Sequence, residues 1–492
     1  MSSDDLTSKQ AWRGTFWLPD KPDEVLEGFL TYEPNDGVTL KFVSGFDDRT
    51  ITATSPTGYR VTSGSRRFPL IHGAVDGAAT AVTLVDCQVV RQQSGFPTGG
   101  IRNQDISADR VLTGVLLSRA DSPVFSGVCI EVENLTEWDR HDEMTIFFDP
   151  SEDSPRRENW RVHVNPLQPL SASVGELTIK LVRQYRQPRF DLRRDRVDAT
   201  VSTFTYLSIN ASAPRSMDEW FEVTKAFQDL ITLAMDAPCA MLSESLIASA
   251  PLLESESARA RKMIDVFGEH ILLGERDVDG AENRKALFTL GSEGVDFARI
   301  VSEWLRIHVD FRTTCDMLFG MKYVKGGYLQ TELITAVAAA ESLHAALKLD
   351  PPIPDEEFVQ RRKRLMDCTP KDQREWLHRK LGTNEHVLRQ RLMDLANIPY
   401  PEIMAEILPD PGAWAKAAKD ERNAVAHGGQ DMTRDVPLLS AIVTTTNAVV
   451  ILNLLQQLGI PAERVKVALN QNRTLKSAKY LARKHWPAPK AI

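Results

Sequence analysis

The chain of 492 residues, 42% of them hydrophobic, is long enough to bury a large core and to divide into about two or three domains. Its formal net charge of −8 excludes a globally basic surface, so any contact with nucleic acid has to come from a local patch. The cysteines Cys87, Cys129, Cys239, Cys315 and Cys368 are scattered and never form a Cys-x-x-Cys pair, which argues against a disulfide framework or a cysteine-bound zinc and fits a reducing cytoplasm.

The opening Met1-Ser2-Ser3-Asp4-Asp5 has no basic segment followed by an apolar run, so no secretory signal is expected. From Trp12 to Ser212 short apolar runs of period two are broken by Gly, Pro, Asn and Asp, the pattern of a β-rich domain over 1–212. Glu27 to Tyr32 and Val38 to Val43 should pair as a hairpin, because Asn35-Asp36-Gly37 supplies the positive φ a tight turn needs. Leu177, Ile179 and Leu181 alternate in the same way. The expected architecture is a sandwich or distorted barrel.

After Pro214 the period changes, and helices are expected almost exclusively. Ser216 and Glu219 form a capping box ahead of a stripe of Met217, Trp220, Phe221, Phe227, Leu230 and Ile231. A helical connector over 213–285 is expected to lead into an all-α domain over 286–492, making the whole an α+β multidomain chain. Phe297, Ile300, Val301, Trp304 and Phe311 line one helix face, and Leu329, Leu333, Val337, Ala340, Leu343 and Leu347 line another at near-heptad spacing. Asp350-Pro351-Pro352-Ile353-Pro354 must break the chain between helices, since proline cannot continue the hydrogen-bond ladder. Two or three shorter helices follow, through Asn397. Gly412 to His427 reads as a helix ended by Gly428-Gly429, and Asp435 to Leu458 as a long apolar helix with Pro437 in its first turn and Gly459 past its end. Thr444, Thr445, Thr446, Asn447, Asn453, Gln456 and Gln457 make that last stretch too polar for a membrane span, so a buried core helix is expected and no membrane partner. A basic helix closes the chain.

There is no phosphate-binding glycine loop, no Gly-x-Gly-x-x-Gly, no His-Glu-x-x-His and no Gly-x-Ser-x-Gly, so neither ATP, dinucleotide nor zinc chemistry is expected, and no cofactor or metal. The His141-Asp142 dipeptide has no evident partner ligands and reads as a polar loop. What remains is Arg422-Asn423-Ala424-Val425-Ala426-His427. Residues five apart on a helix stand about 140° apart around its axis, so Arg422 and His427 can converge only at a helix end or on a face turned to a partner. The glycines put His427 at that end, where the helix dipole favours imidazolium. An Arg and a His suffice for metal-free cleavage of RNA: imidazole moves the proton and guanidinium holds the phosphate. The plainer alternative keeps Arg422 as a solvated helix residue and His427 as a dipole cap.

The stretch from Arg422 to His427, between a helix and a long apolar helix, resembles the Arg-polar-x3-His signature of HEPN domains. Gly14-Thr15-Phe16-Trp17-Leu18-Pro19, Gly28-Phe29-Leu30 and the Asp36-Gly37 turn resemble the opening of ApeA-like anti-phage proteins. The resemblance implies a four-helix-core HEPN domain that is a metal-independent ribonuclease acting as a dimer, with Arg422 and His427 catalytic and Asn423 supporting. It also implies a β-rich sensing module that keeps the nuclease quiet until a phage-derived trigger appears, and cellular RNA, transfer RNA included, as substrate. Ala340-Glu341-Ser342-Leu343 resembles the HEPN helix that sets an acidic residue near the motif; Glu341 would hold Arg422, or else stand exposed beside His344. The rival readings are a non-catalytic HEPN protein that binds RNA or a partner, and a glycan-binding β domain on a helical oligomerisation domain. From Pro461 onward eight basic residues stand against Glu463 alone; Lys476, Lys479 and Arg483 recur at helical spacing with Tyr480 and Trp486 nearby, a candidate grip on RNA phosphates or a basic face complementing an acidic neighbour.

Overall fold

The computed structural model describes the chain except residues 1–5, 47–49, 56–57, 63–65, 77–79, 95–100, 141–143, 152–153, 165–166, 258, 269–284, 325, 427–434 and 490–492. The His141-Asp142 loop, His427 and Gly428-Gly429 therefore lie outside the described residues. The chain forms two compact units, one of Met1–Ile231, Cys239–Val278 and Phe297–Ser302, the other of Thr232–Pro238, Asp279–Asp296 and Glu303–Ile492.

The first unit is built on antiparallel strands: β1 (Gln10–Leu18), β2 (Lys21–Glu33), β3 (Gly37–Phe42), β4 (Thr50–Ser55), β5 (Gly58–Thr62), β6 (Arg67–Val75), β7 (Thr80–Ser94), β8 (Ile101–Thr113), β9 (Phe125–Val132), β10 (Met144–Ser151), β11 (Ser154–Val164), β12 (Leu170–Val174), β13 (Leu177–Leu192), β14 (Val197–Arg215), β15 (Met241–Ala248) and β16 (Met263–Gly268). Twelve of them share one sheet in the order β12-β13-β14-β9-β15-β16-β8-β3-β2-β1-β6-β7, and β7 pairs again with β8. Six strands thus close into a barrel, which removes their free edges, and six extend from it as an open sheet. Strands β4 and β5, and β10 and β11, form separate hairpins. Alternating apolar residues fill the barrel: Phe16, Leu30, Tyr32, Leu40, Ile71, Leu84 and Ile106 are fully buried.

The expected hairpin is present, with Gly28 opposite Phe42, Glu33 opposite Gly37, and Gly37 at φ 74° in the turn. Gly14 faces Gly28 across β1 and β2, and a Cβ on Gly14 would come within 2.3 Å of the Ala74 carbonyl oxygen on β6. Close approach of two backbones on either side of β1 is what this glycine permits.

The expectation of helices almost exclusively beyond Pro214 is corrected by β15 and β16. The 213–285 stretch, expected to be a helical connector, contains the helix Met217–Met235, capped reciprocally by Ser216 and Glu219, but then returns two strands to the sheet. Most of β15 is buried on both faces, so it lacks the alternation that marks a half-exposed strand. It also carries the buried polar residues Ser243, Glu244 and Ser245. Ser245 donates to Asp265 of β16 at 2.7 Å, and Phe267 of β16 packs edge-on against Trp12.

The second unit is helical. Four helices, Leu329–Ala346, Leu388–Asn397, Pro411–Ala426 and Val436–Gln457, each pack against the other three. The Asp350–Pro354 break falls where proline requires it, and three helices, Asp355–Cys368, Arg374–Lys380 and Leu388–Asn397, follow it. The Val436–Gln457 helix is long and apolar enough to cross a membrane by length and composition, yet it is mostly buried inside the fold. The Asp435 carboxylate caps its start by accepting from the Leu438 amide, and Gly459 takes φ 69° just past its end. Its buried Asn453 donates to the carbonyls of Val449 and Leu395, tying it to the Leu388–Asn397 helix. Two further helices, Ala462–Gln471 and Arg473–His485, close the described chain.

Candidate active site and basic segment

The Pro411–Ala426 helix begins where the Asp410 carboxylate accepts from the Ala413 amide and Pro411 presets the first turn. Trp414, Ala415 and Ala418 are its buried face, and Arg422 follows one turn after Ala418. The Arg422 guanidinium is therefore half-buried, and its Nη2 donates to Glu341 Oε2 at 3.4 Å; the two side chains are 34% and 26% exposed. Its Nη1 donates to Asn423 Oδ1 at 3.3 Å. Glu341 stands on the Leu329–Ala346 helix directly after the buried Ala340, so the packing of these two helices is what brings the carboxylate to the arginine. Arg422, Asn423 and Glu341 are thus brought together, while the fourth expected member, His427, follows the last described residue of the helix, Ala426.

The alternative role for Glu341, as exposed partner of His344, does not hold. His344 is buried and its Nε2 lies 3.0 Å from Asp394 Oδ2 on the neighbouring helix. Burial holds the imidazole below its ordinary pKa, with the Asp394 carboxylate pulling the other way.

What an arrangement like the one around Arg422 can do chemically follows from its donors. A guanidinium steadied by one carboxylate and one amide still presents N–H groups to a phosphate, and its planar fork suits two phosphate oxygens at once.

The basic segment divides. Lys479 Nζ pairs with Glu406, Arg483 Nε donates to the Glu406 backbone carbonyl at 3.1 Å, and the ammonium holds the Glu406 carboxyl below its usual range. Two of the three candidate phosphate contacts are therefore engaged within their own unit, as the acidic-neighbour alternative has it. Trp486, expected as a stacking ring, is buried. Lys476 and Tyr480 are exposed, and with Arg473 they line a shallow depression on the Arg473–His485 helix.

Comparison with protein families matches residues 11–304 to the ApeA N-terminal domain 1 and residues 334–464 to the Apea-like HEPN domain. The first match takes in the barrel, the open sheet with β15 and β16, and the Met217–Met235 helix; the second takes in the four mutually packed helices from Ile334 of the first onward, with Glu341 and Arg422. A search of curated proteins and a search of solved structures each found no match.

Proposed function

The chain belongs to the ApeA-like HEPN family, and on that premise we propose that it is a metal-independent endoribonuclease of anti-phage defence, with Arg422 and His427 as its catalytic pair. The observation that carries the reading is Arg422, drawn to Glu341 at 3.4 Å and placed five residues before His427. In this mechanism the imidazole of His427 takes the proton from a ribose 2′-hydroxyl, and the 2′-oxygen attacks the adjacent phosphorus. The Arg422 guanidinium offsets charge on the pentacoordinate phosphorane, and the 5′-oxygen leaves with a proton. The products are a 2′,3′-cyclic phosphate and a 5′-hydroxyl. DNA has no 2′-hydroxyl and is spared.

Purified full-length protein incubated with total cellular RNA, transfer RNA included, and with phage lysate tests this. Discrete RNA fragments with DNA left whole are expected. An absence of cutting under every such condition favours the non-catalytic reading, in which the HEPN domain only binds RNA or a partner.

One imidazole cannot readily serve as base on one side of a phosphate and acid on the other, so the active species is a homodimer in which two motifs face one substrate. Light scattering should give twice the monomer mass at concentrations where the protein cuts RNA, and a monomer with full activity would contradict this.

Within the basic segment, Arg473, Lys476 and Tyr480 line one depression apart from the Glu406 contact and are suited to take RNA. Arg473→Glu with Lys476→Glu should weaken RNA binding and flatten its salt dependence by a slope of about 1 to 2, since each phosphate contact releases about one counterion. Affinity measured across a salt series checks it, and unchanged slopes would remove the segment from the substrate path. The β unit is the sensing module in this reading, and a phage-derived molecule its trigger.

A further inference from the structure

Three residues that the nuclease reading does not use meet in the helical unit. His344 lies on the Leu329–Ala346 helix, Asp394 on the Leu388–Asn397 helix, and His386 two residues before the start of the latter. Asp394 Oδ2 stands 3.0 Å from His344 Nε2 and 3.1 Å from His386 Nδ1, and the ligand-type atoms of all three lie within 4.8 Å of one another. The side chains are 7%, 17% and 19% exposed for His344, His386 and Asp394.

The hydrogen bonds around the group leave one inward atom, His386 Nδ1, without a partner, while His344 Nε2 and Asp394 Oδ2 share a hydrogen bond whose proton a metal would displace. His386 Nε2 lies 3.0 Å from the Asp350 carbonyl oxygen, which can only accept, so that nitrogen carries a proton. The other ring nitrogen, Nδ1, faces Asp394 Oδ2 at 3.1 Å. It is buried, it makes no hydrogen bond, and it faces a carboxylate oxygen that already serves His344. A buried nitrogen without a hydrogen-bond partner costs free energy, and a cation held between it, the carboxylate and His344 Nε2 would satisfy it. The outer contacts are those that support metal ligands: a backbone carbonyl on the far nitrogen of His386, and the Gln390 amide donating to Asp394 Oδ1 at 2.8 Å, which leaves Oδ2 for an ion. Arg391 fixes the loop by donating to the His386 carbonyl at 2.7 Å and pairing with Glu385.

We propose that His344, His386 and Asp394 bind a divalent metal ion of the zinc class, which pins the Leu329–Ala346 helix to the Leu388–Asn397 helix and the loop before it. Two imidazoles and one carboxylate suit zinc, at about 2.0–2.2 Å from each donor atom, with water in the fourth position. The ion takes no part in RNA cleavage. It fixes the helix on which Glu341 precedes His344 by three residues, and so acts on Arg422 only through the position of that carboxylate.

The test uses full-length protein purified without chelator. Elemental analysis should find about one zinc per chain, and metal-free protein titrated with cobalt(II) should develop the strong visible bands of a four-coordinate ion. His386→Gln and Asp394→Asn should lose the zinc and the cobalt bands, and Gln390→Ala should bind zinc about 10- to 100-fold more weakly, as loss of an outer contact does. Zinc should raise the melting temperature of the wild type and not of His386→Gln. Wild-type protein that holds zinc no better than His386→Gln, or that gives only the pale spectrum of six-coordinate cobalt, overturns the proposal; the second outcome needs no variant to fold. Neither readout passes through RNA, so failure here is distinguishable from failure of the nuclease reading.

Discussion

His427→Ala should remove RNA cleavage and protection from phage while leaving the protein folded. A side chain that moves the 2′-hydroxyl proton contributes about 10²- to 10⁴-fold to rate, and no other residue of the Arg422-to-His427 motif can replace it. Arg422→Ala should cost on the order of 10²- to 10³-fold, the usual effect of deleting a group that stabilises developing charge. Neither change should move the melting temperature much. The Arg422–Glu341 pair is about a third exposed, and a pair in that setting contributes roughly 0–1 kcal/mol. Glu341→Gln should lie between: the amide still accepts from Arg422 but no longer holds it by charge, so RNA cleavage should fall and Glu341→Asp should restore part of it. Cleavage rates with melting curves on the same preparations check all four variants, and full activity in a folded His427→Ala protein would sink the assignment.

Arg183→Ala should produce the largest loss of stability, and it should do so in the β unit. Arg183 on β13 grips Asp139, at the end of the short helix Leu135–Asp139, through two bonds, one of them Nη2 to Oδ1 at 2.6 Å. The two side chains are only 4% and 3% exposed, so solvent neither screens the pair nor can rehydrate the carboxylate once its partner is gone. Removing one member of such a pair costs about 3–5 kcal/mol. Arg189→Ala is the matched control, because the Arg189–Asp191 pair further along β13 is exposed and contributes roughly 0–1 kcal/mol. Urea unfolding of both variants measures the difference, and equal midpoints would show that burial is not what gives the Asp139 pair its strength.

Local chemistry made much of this fold legible before any coordinates. Asp36-Gly37 can make few turns other than a tight one, and Ser216 with Glu219 can satisfy each other's amides in few ways other than a capping box; both are found in place. The long helix from Val436 was readable because a long apolar stretch carrying several Thr, Asn and Gln residues is too polar to span a membrane and fits a core helix. β15 was not, since Ser243, Glu244 and Ser245 look like surface and become buried only once β9 and β16 flank them.

The same division holds at the candidate site. Glu341 beside Arg422 was expected from the resemblance to the HEPN helix, with the pairing to His344 as the alternative, because the border of an apolar stripe on one helix does not say which partner helix it faces. Lys479 and Arg483 looked like a free basic face because Glu406 is 73 and 77 residues away from them in the chain. His344, His386 and Asp394 carry no spacing signature at all; His344 lies 50 residues before Asp394, and packing alone assembles the group. Cysteine pairs and His-Glu-x-x-His are contiguous signatures, which a site made by helix packing does not show.

In the proposed mechanism RNA is cut by its own 2′-hydroxyl under the action of Arg422 and His427. The most direct measurement is made on an oligonucleotide spanning a mapped cut site, prepared as RNA throughout and again with a single 2′-deoxynucleotide on the 5′ side of the scissile phosphate. The all-RNA strand should be cut by the wild type to a 2′,3′-cyclic phosphate and a 5′-hydroxyl, and not by His427→Ala, while the substituted strand should stay whole at that position. Cleavage of the substituted strand at the same rate, or ends carrying a 3′-hydroxyl and a 5′-phosphate, would contradict the account.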